Sequence, residues 1–267
     1  LIGIIGASGS GKSTLLNVLN GSYEPTQGKV LINGIDIHKE SEKIEGIIGY
    51  VSQDDLLIEE LTVFQNLYYN AKLCFANYDK EQLEEVVNDT LEDLGLYDVK
   101  NMVVGKPLNK KISGGQRKRL NIALELIREP AVLFLDEPTS GLDPVLRKEI
   151  TKLIRIINKK GTTIIMTTQL LEEADDLLDK VLILYDKKIV EDGSPENINK
   201  KHDKKSINDV FEEIVKKRKG DIKKKKMYLK NPKNEELDFI PKKGKEELDK
   251  ILDDYDKKDK KPKRGGK

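Results

Sequence analysis

A string of eight residues near the start, Gly6-Ala7-Ser8-Gly9-Ser10-Gly11-Lys12-Ser13, leaves this chain few folds to choose from. It satisfies G-x-x-x-x-G-K-[ST] in full, and its flanks are the ones that pattern requires. Leu1–Ile5 before it is apolar without alternation, which predicts a parallel strand covered on both faces. From Lys12 to Asn20, Leu15, Leu16, Val18 and Leu19 read as a helix that Gly21 is placed to end. Strand, glycine loop and helix in that order suit a phosphate. The glycines let successive backbone N–H groups curl around it, and the helix N-terminus adds positive potential. Lys12 is then placed to reach β- and γ-phosphates and Ser13 to hold Mg²⁺ through its hydroxyl, so Gly6 to Thr14 are the candidate nucleotide-binding residues.

A second chemical signal is the pair of acids in Val132-Leu133-Phe134-Leu135-Asp136-Glu137. They close an apolar run, Ala131–Leu135, at the end of a strand where parallel α/β sheets assemble their sites. Carboxylates there call for a cation. Asp136 suits Mg²⁺, directly or through water, and Glu137 suits the orientation and deprotonation of an attacking water. A strand that merely ends in solvated acids before Pro138 is the plainer alternative, and the phosphate loop argues against it.

Further along, Ser113-Gly114-Gly115-Gln116 opens a helix with Leu120, Ala123, Leu124 and Ile127 on its apolar side. Ser113 and Gln116 alone form a capping box. The two glycines exceed what a cap needs and would let a phosphate approach the helix N-terminus. Another helix is predicted between Asp79 and Gly95, with Asp79 and Gln82 as its capping box and Leu83, Val86, Val87, Leu91 and Leu94 at helical spacing. Strands are also expected at Thr162–Thr168 and Val181–Tyr185, so the alternation of strands and helices implies a mostly parallel αβα core.

At Ile112–Gln116 the chain comes to resemble the nucleotide-binding domain of ABC transporters, a likeness that covers roughly the first 195 residues. The resemblance implies an α/β P-loop NTPase core with a mostly parallel sheet and an inserted α-helical subdomain at about residues 64–128. It makes Ser113, Gly114, Gly115 and Gln116 a signature that binds the γ-phosphate held by an opposite subunit, and hence implies a homo- or heterodimer. Gln53, after Val51 and Ser52, is similar to the family's glutamine loop, which contacts Mg²⁺ and water. Ser140-Gly141-Leu142-Asp143 resembles the loop that crosses the dimer interface. ATP and Mg²⁺ are the implied ligands, transmembrane subunits or domains the implied partners, and the cytoplasmic face of a membrane the implied place.

Two departures stand out. The family has a histidine where this chain has Gln169, whose amide donates a hydrogen bond but carries no imidazolium charge. Catalytic roles then fall to Glu137, Gln53 and Gln169, with ordinary ATP binding and slow hydrolysis expected. A non-hydrolytic ATP-dependent switch, or a soluble ATPase of the same type, is the alternative. The family also carries strands and an adenine-stacking aromatic ahead of the phosphate loop, whereas here nothing precedes Leu1, which points to a partial chain. The sequence Gln53-Asp54-Asp55-Leu56-Leu57 through Leu61-Thr62-Val63 is similar to lipid and drug exporter branches.

Composition bounds the rest. Net charge is +1, which supplies no global field for nucleic acid, and no run of about 18 apolar residues could cross a bilayer as a helix. A single cysteine, Cys74, excludes an internal disulfide and reads as a core filler, while His38 and His202 read as solvated surface residues. After Pro195 lysine and acid blocks alternate, so residues 196–267 are expected to form a charged extension, partly helical or disordered, with little to offer a core. Helices are expected there at Ser206–Val215 and, weakly, at Lys245–Tyr255. The lysine runs past residue 220 could touch anionic lipid weakly.

Overall fold

The computed structural model describes residues 1–44, 46–106 and 109–230. In chain order the elements are β1 (Ile2–Ile5), α1 (Lys12–Leu19), β2 (Leu31–Ile32), β3 (Ile35–Asp36), β4 (Ile48–Val51), α2 (Val63–Cys74), α3 (Lys80–Asp93), β5 (Gly105–Lys106), β6 (Asn109–Lys110), α4 (Gly114–Leu126), β7 (Val132–Asp136), α5 (Pro144–Lys159), β8 (Thr163–Thr168), α6 (Glu172–Leu177), β9 (Lys180–Tyr185), β10 (Lys188–Gly193), α7 (Pro195–His202) and α8 (Ile207–Lys230). The fold is α/β with a mostly parallel sheet, as the alternation of elements predicted. Chain contacts divide it after Glu213, and the described part of the second unit is the stretch of α8 from residue 214 to 230.

Six strands form the main sheet in the order β10-β9-β1-β8-β7-β4. All neighbours are parallel except β10, which returns antiparallel beside β9. The central strands are apolar throughout because both faces are covered: Ile4, Ile5, Leu133, Leu135, Ile164 and Met166 are fully buried. Ile4, Leu16, Phe134 and Leu184 pack together and seat α1 on the sheet. Each such side chain contributes about 1.5–3 kcal/mol by leaving water.

A second cluster joins α2, α3 and α4 through Val63, Leu67, Ala71, Leu83, Val87, Leu91, Leu120 and Ala123. Capping boxes start all three helices, at Thr62/Gln65, Asp79/Gln82 and Ser113/Gln116. Of these, the last two were anticipated from spacing.

Several expectations need correction. His202 is not a solvated residue: its side chain is 14% exposed, with Nε2 3.0 Å from Glu191 and Nδ1 3.7 Å from Glu213. His38 is half-buried, its Nε2 3.2 Å from the carbonyl oxygen of Val18. Cys74 ends α2 half-buried, outside the core, and burial raises its thiol pKa. Past Pro195, Ile198, Ile207 and Val210 are buried, so that stretch does supply core. The helix expected at Ser206–Val215 extends to Lys230, and the one expected at Lys245–Tyr255 lies outside the described residues.

Candidate active site at the C-terminal edge of the sheet

Strand register places the chemistry. Ile5 of β1 pairs with Thr168 of β8, Asp136 of β7 with Thr167 of β8, and Val51 of β4 with Leu135 of β7. The C-terminal ends of four neighbouring strands therefore fall on one edge, and each strand runs directly into a predicted site segment: the Gly6 loop, Glu137, Gln169 and Gln53. Backbone conformation turns the chain after two of these strands, β1 and β7. Glycines with φ of 74° at Gly9 and 99° at Gly11 bend the loop, while Glu137 turns the chain after β7 at φ 46°. A left-handed glutamate costs on the order of 1–3 kcal/mol and marks a site whose surroundings hold it in place.

Five predicted residues converge. Lys12, only 5% exposed, donates from Nζ to the carbonyl oxygens of Gly6 at 3.0 Å and Ala7 at 3.3 Å, and lies 3.4 Å from Glu137 Oε1. Ser13 Oγ donates to Asp136 Oδ1 at 3.2 Å. Gln169 Nε2 donates to Glu137 Oε1 at 2.6 Å. Asp136 and Glu137 are both buried, which a carboxylate tolerates only with partners of this kind.

Sequence reasoning missed Thr167. Fully buried, its hydroxyl donates to Asp136 Oδ1 and accepts from the Glu137 amide at 2.9 Å, so one side chain orients both acids. A threonine in a β-branched strand carries no signal of that role.

The loop presents donors. No side chain caps the first-turn amides of α1, whereas side chains cap α2, α3, α4, α5 and α7. Ser10 Oγ is buried without a hydrogen-bond partner, and the Cβ positions of Gly9 and Gly11 face open space or a contact no nearer than 3.9 Å. Unsatisfied amides, an orphaned hydroxyl and a neighbouring ammonium fit a polyanion such as a triphosphate. Ser13 and Asp136 supply oxygen atoms, the donor type Mg²⁺ takes, and Mg²⁺ commonly borrows its other ligands from substrate phosphates and water.

Other predicted residues stay apart from this cluster. The exposed Gln53 is two residues past β4, its carbonyl oxygen accepting from the buried Lys118 of α4 at 3.2 Å. Burial lowers the Lys118 pKa, against the pull of Asp55, Asp136 and Asp54. Arg117 holds the same loop from α4, donating to Asp55 at 3.0 Å and to the Gly105 carbonyl at 2.7 Å. Ser113 and Gln116 bond each other at the start of α4, and Asp143 caps α5 through Val145 and Leu146. Gly114 has open space over its Cα, and Gly115 packs under Leu146.

Comparison with known proteins shows the family and the fold. The family model described as "ABC transporter" matches residues 1–140, just over half the chain, and one described as "AAA domain, putative AbiEii toxin, Type IV TA system" matches residues 109–175. The chain is 39% identical over 66% of its length to an ABC-type transporter, claG, of Penicillium crustosum, covering 24% of that protein. It is 36% identical over 73% of its length to the daunorubicin resistance ATP-binding protein DrrA3 of Streptomyces coeruleorubidus, covering 60% of it. The methionine import ATP-binding protein MetN of Corynebacterium jeikeium is 37% identical, with 73% of the chain and 52% of that protein aligned. This chain thus spans about a quarter to three fifths of these relatives. A solved structure titled "Structure of ATP binding subunit of ABC transporter" superposes with a TM-score of 0.66 over 80% of this chain and 87% of its own, at 23% identity, a likeness of fold.

Proposed function

Because the chain belongs to the ABC transporter family, we propose that it binds MgATP at the Gly6–Thr14 loop and hydrolyses it to drive a transmembrane partner. The observation that carries this is the convergence of Lys12, Ser13, Asp136, Glu137 and Gln169 on one sheet edge. The nucleotide-binding domain is assigned to residues 1–195, with a helical subdomain at about 64–128 and a charged extension at 196–267.

Each residue has a task that its position supports. Backbone amides from Gly6 to Ser13, with the start of α1, grip the phosphates, and Lys12 exchanges its carbonyl partners and Glu137 for phosphate oxygens. Released from Lys12, Glu137 accepts the proton of the attacking water. Gln169 holds Glu137 in place and offers its amide hydrogens toward the γ-phosphate. Thr167 fixes the angle between the acids. Ser13 and Asp136, with Gln53, would hold a magnesium ion that neutralises charge on the phosphates.

Ser113, Gly114, Gly115, Gln116 and Asp143 are assigned to the nucleotide of a second subunit, in a homo- or heterodimer at the cytoplasmic face of a membrane. No described helix is long and apolar enough to cross a membrane. The translocation path is assigned to transmembrane subunits or domains. Lysines beyond residue 220 are assigned a weak contact with anionic headgroups, about 1 kcal/mol for each basic residue near the surface. Phosphate release by the wild type, compared with a Glu137→Gln variant under saturating MgATP, tests the enzymatic reading. Equal rates would reject it and leave an ATP-binding switch.

A further inference from the structure

Glu173, on α6, takes no part in the chemistry above, yet it is where three site segments meet. Its Oε2 accepts from Thr139 Oγ1 at 3.1 Å and from Thr168 Oγ1 at 3.4 Å. Thr139 is two residues past Glu137 and begins the turn leading to Asp143, and Thr168 immediately precedes Gln169. Both threonines are buried, at 1% and 2% exposure. The third segment is α5, whose N-cap is Asp143: Arg147 Nε lies 4.0 Å from Glu173 Oε1, and Arg147 Nη2 donates to the Leu142 carbonyl at 3.4 Å.

Keeping a carboxylate here is costly. The Glu173 side chain is 9% exposed, and burial raises its pKa. Its Oε1 and Arg147 Nε are both buried without hydrogen-bond partners. A group needed only to fill space would be apolar, since an unpaired buried polar atom destabilises a fold. What this carboxylate does is tie the end of β8 to the turn after β7, two segments joined otherwise through Thr167 and through the Gln169–Glu137 hydrogen bond itself.

We infer that Glu173 is a positioning residue that sets the placement of Gln169 against Glu137 through Thr168, and links it through Thr139 and Arg147 to the Asp143 turn. This rests on the ATP hydrolysis reading for its consequence, though not for its geometry. Loss of the tie lets Gln169 move by a fraction of an ångström to an ångström, a displacement that costs about tenfold or more in turnover.

The test has a structural and a kinetic readout. In the full chain, the side-chain amide NMR resonances of Gln169 are assigned by their loss in Gln169→Ala. Glu173→Ala and, as a second variant that keeps side-chain volume, Thr168→Val are expected to shift or broaden them. Glu173→Gln retains an acceptor oxygen and is expected to leave them near their wild-type positions. Unmoved resonances in folded Glu173→Ala and Thr168→Val overturn the inference whether or not the chain hydrolyses ATP. In phosphate release, Glu173→Ala is expected to lower kcat about tenfold with KM for ATP within about twofold, and to have no further effect in a Gln169→Ala background. An equal, additive loss in that background overturns it. Turnover that survives Lys12→Ala rejects the hydrolysis reading instead, and the resonances still decide the positioning role.

Discussion

The side-chain amide of Gln169 donates a 2.6 Å hydrogen bond to Oε1 of Glu137, the same oxygen that lies 3.4 Å from the Lys12 ammonium. One carboxylate oxygen therefore answers to a neutral donor just past β8 and a cation from the phosphate loop. The neutral donor cannot supply the charge that an imidazolium would place beside a γ-phosphate. Gln169→His is expected to raise kcat about 10- to 1,000-fold with little change in ATP affinity, and Gln169→Ala to lower it. Steady-state phosphate release checks both, and no gain from histidine would refute the assigned role.

Lys12 carries the clearest binding prediction. Its ammonium has partners in the loop and at Glu137, all exchangeable for phosphate oxygens. Lys12→Ala should weaken MgATP binding by about 1.5–3 kcal/mol, roughly 10- to 100-fold in Kd. Titration with a fluorescent ATP analogue measures it. Unchanged affinity would place the triphosphate somewhere else.

Two loop glycines should fail for different reasons. A Cβ on Gly6 would sit 2.4 Å from the Leu184 carbonyl oxygen and 2.8 Å from Ser10 Oγ, and backbone cannot swing aside as a side chain can. At Gly9 the space is open, but φ is 74°, which charges an L-residue roughly 1–2 kcal/mol. Gly6→Ala is expected to lower the thermal midpoint more than Gly9→Ala, with both weakening ATP binding. A reversed order in thermal unfolding would show that β9 yields easily at Leu184.

What was legible in the sequence was local. Gly6 to Ser13 states its own loop and helix, and Asp79/Gln82 and Ser113/Gln116 state their caps, because each depends on residues a few positions apart. The β10 return strand was not legible: its turn puts Asp186 at φ 49° and Lys187 at φ 61° without the glycine that usually marks such a hairpin. Thr167 was missed because Asp136 and Glu137 lie 31 and 30 residues away, and Glu173 because Thr139, which makes it a link between segments, lies 34 residues away; neither residue type is unusual where it stands. His202 was misjudged because its surroundings are made by Glu191 and Glu213, contributed by other elements. The roles of Gln53, Ser113 and Asp143 came from resemblance, and within this chain they remain separate from the Lys12 cluster.

The buried carboxyl of Glu173 gives a pH dependence whose sign can be worked out. Burial raises its pKa above 4.5, outweighing the lowering by the Thr139 and Thr168 hydroxyls and by Arg147. Between the unfolded and folded pKa values the native chain holds a proton at this site that the unfolded chain has released. Stability then falls as pH rises through that window, because the slope follows protons bound unfolded minus protons bound native. The contribution is fully present below the unfolded value and gone above the folded one. Glu173→Gln is neutral throughout and lacks this dependence, so its stability relative to wild type should be highest near neutral pH and decline as the buffer approaches about pH 4.5. Urea unfolding midpoints taken at steps across that range supply the comparison. A difference that instead grows on acidification would mean that Arg147 and the two threonines hold the carboxylate ionised, and that their pull outweighs its burial.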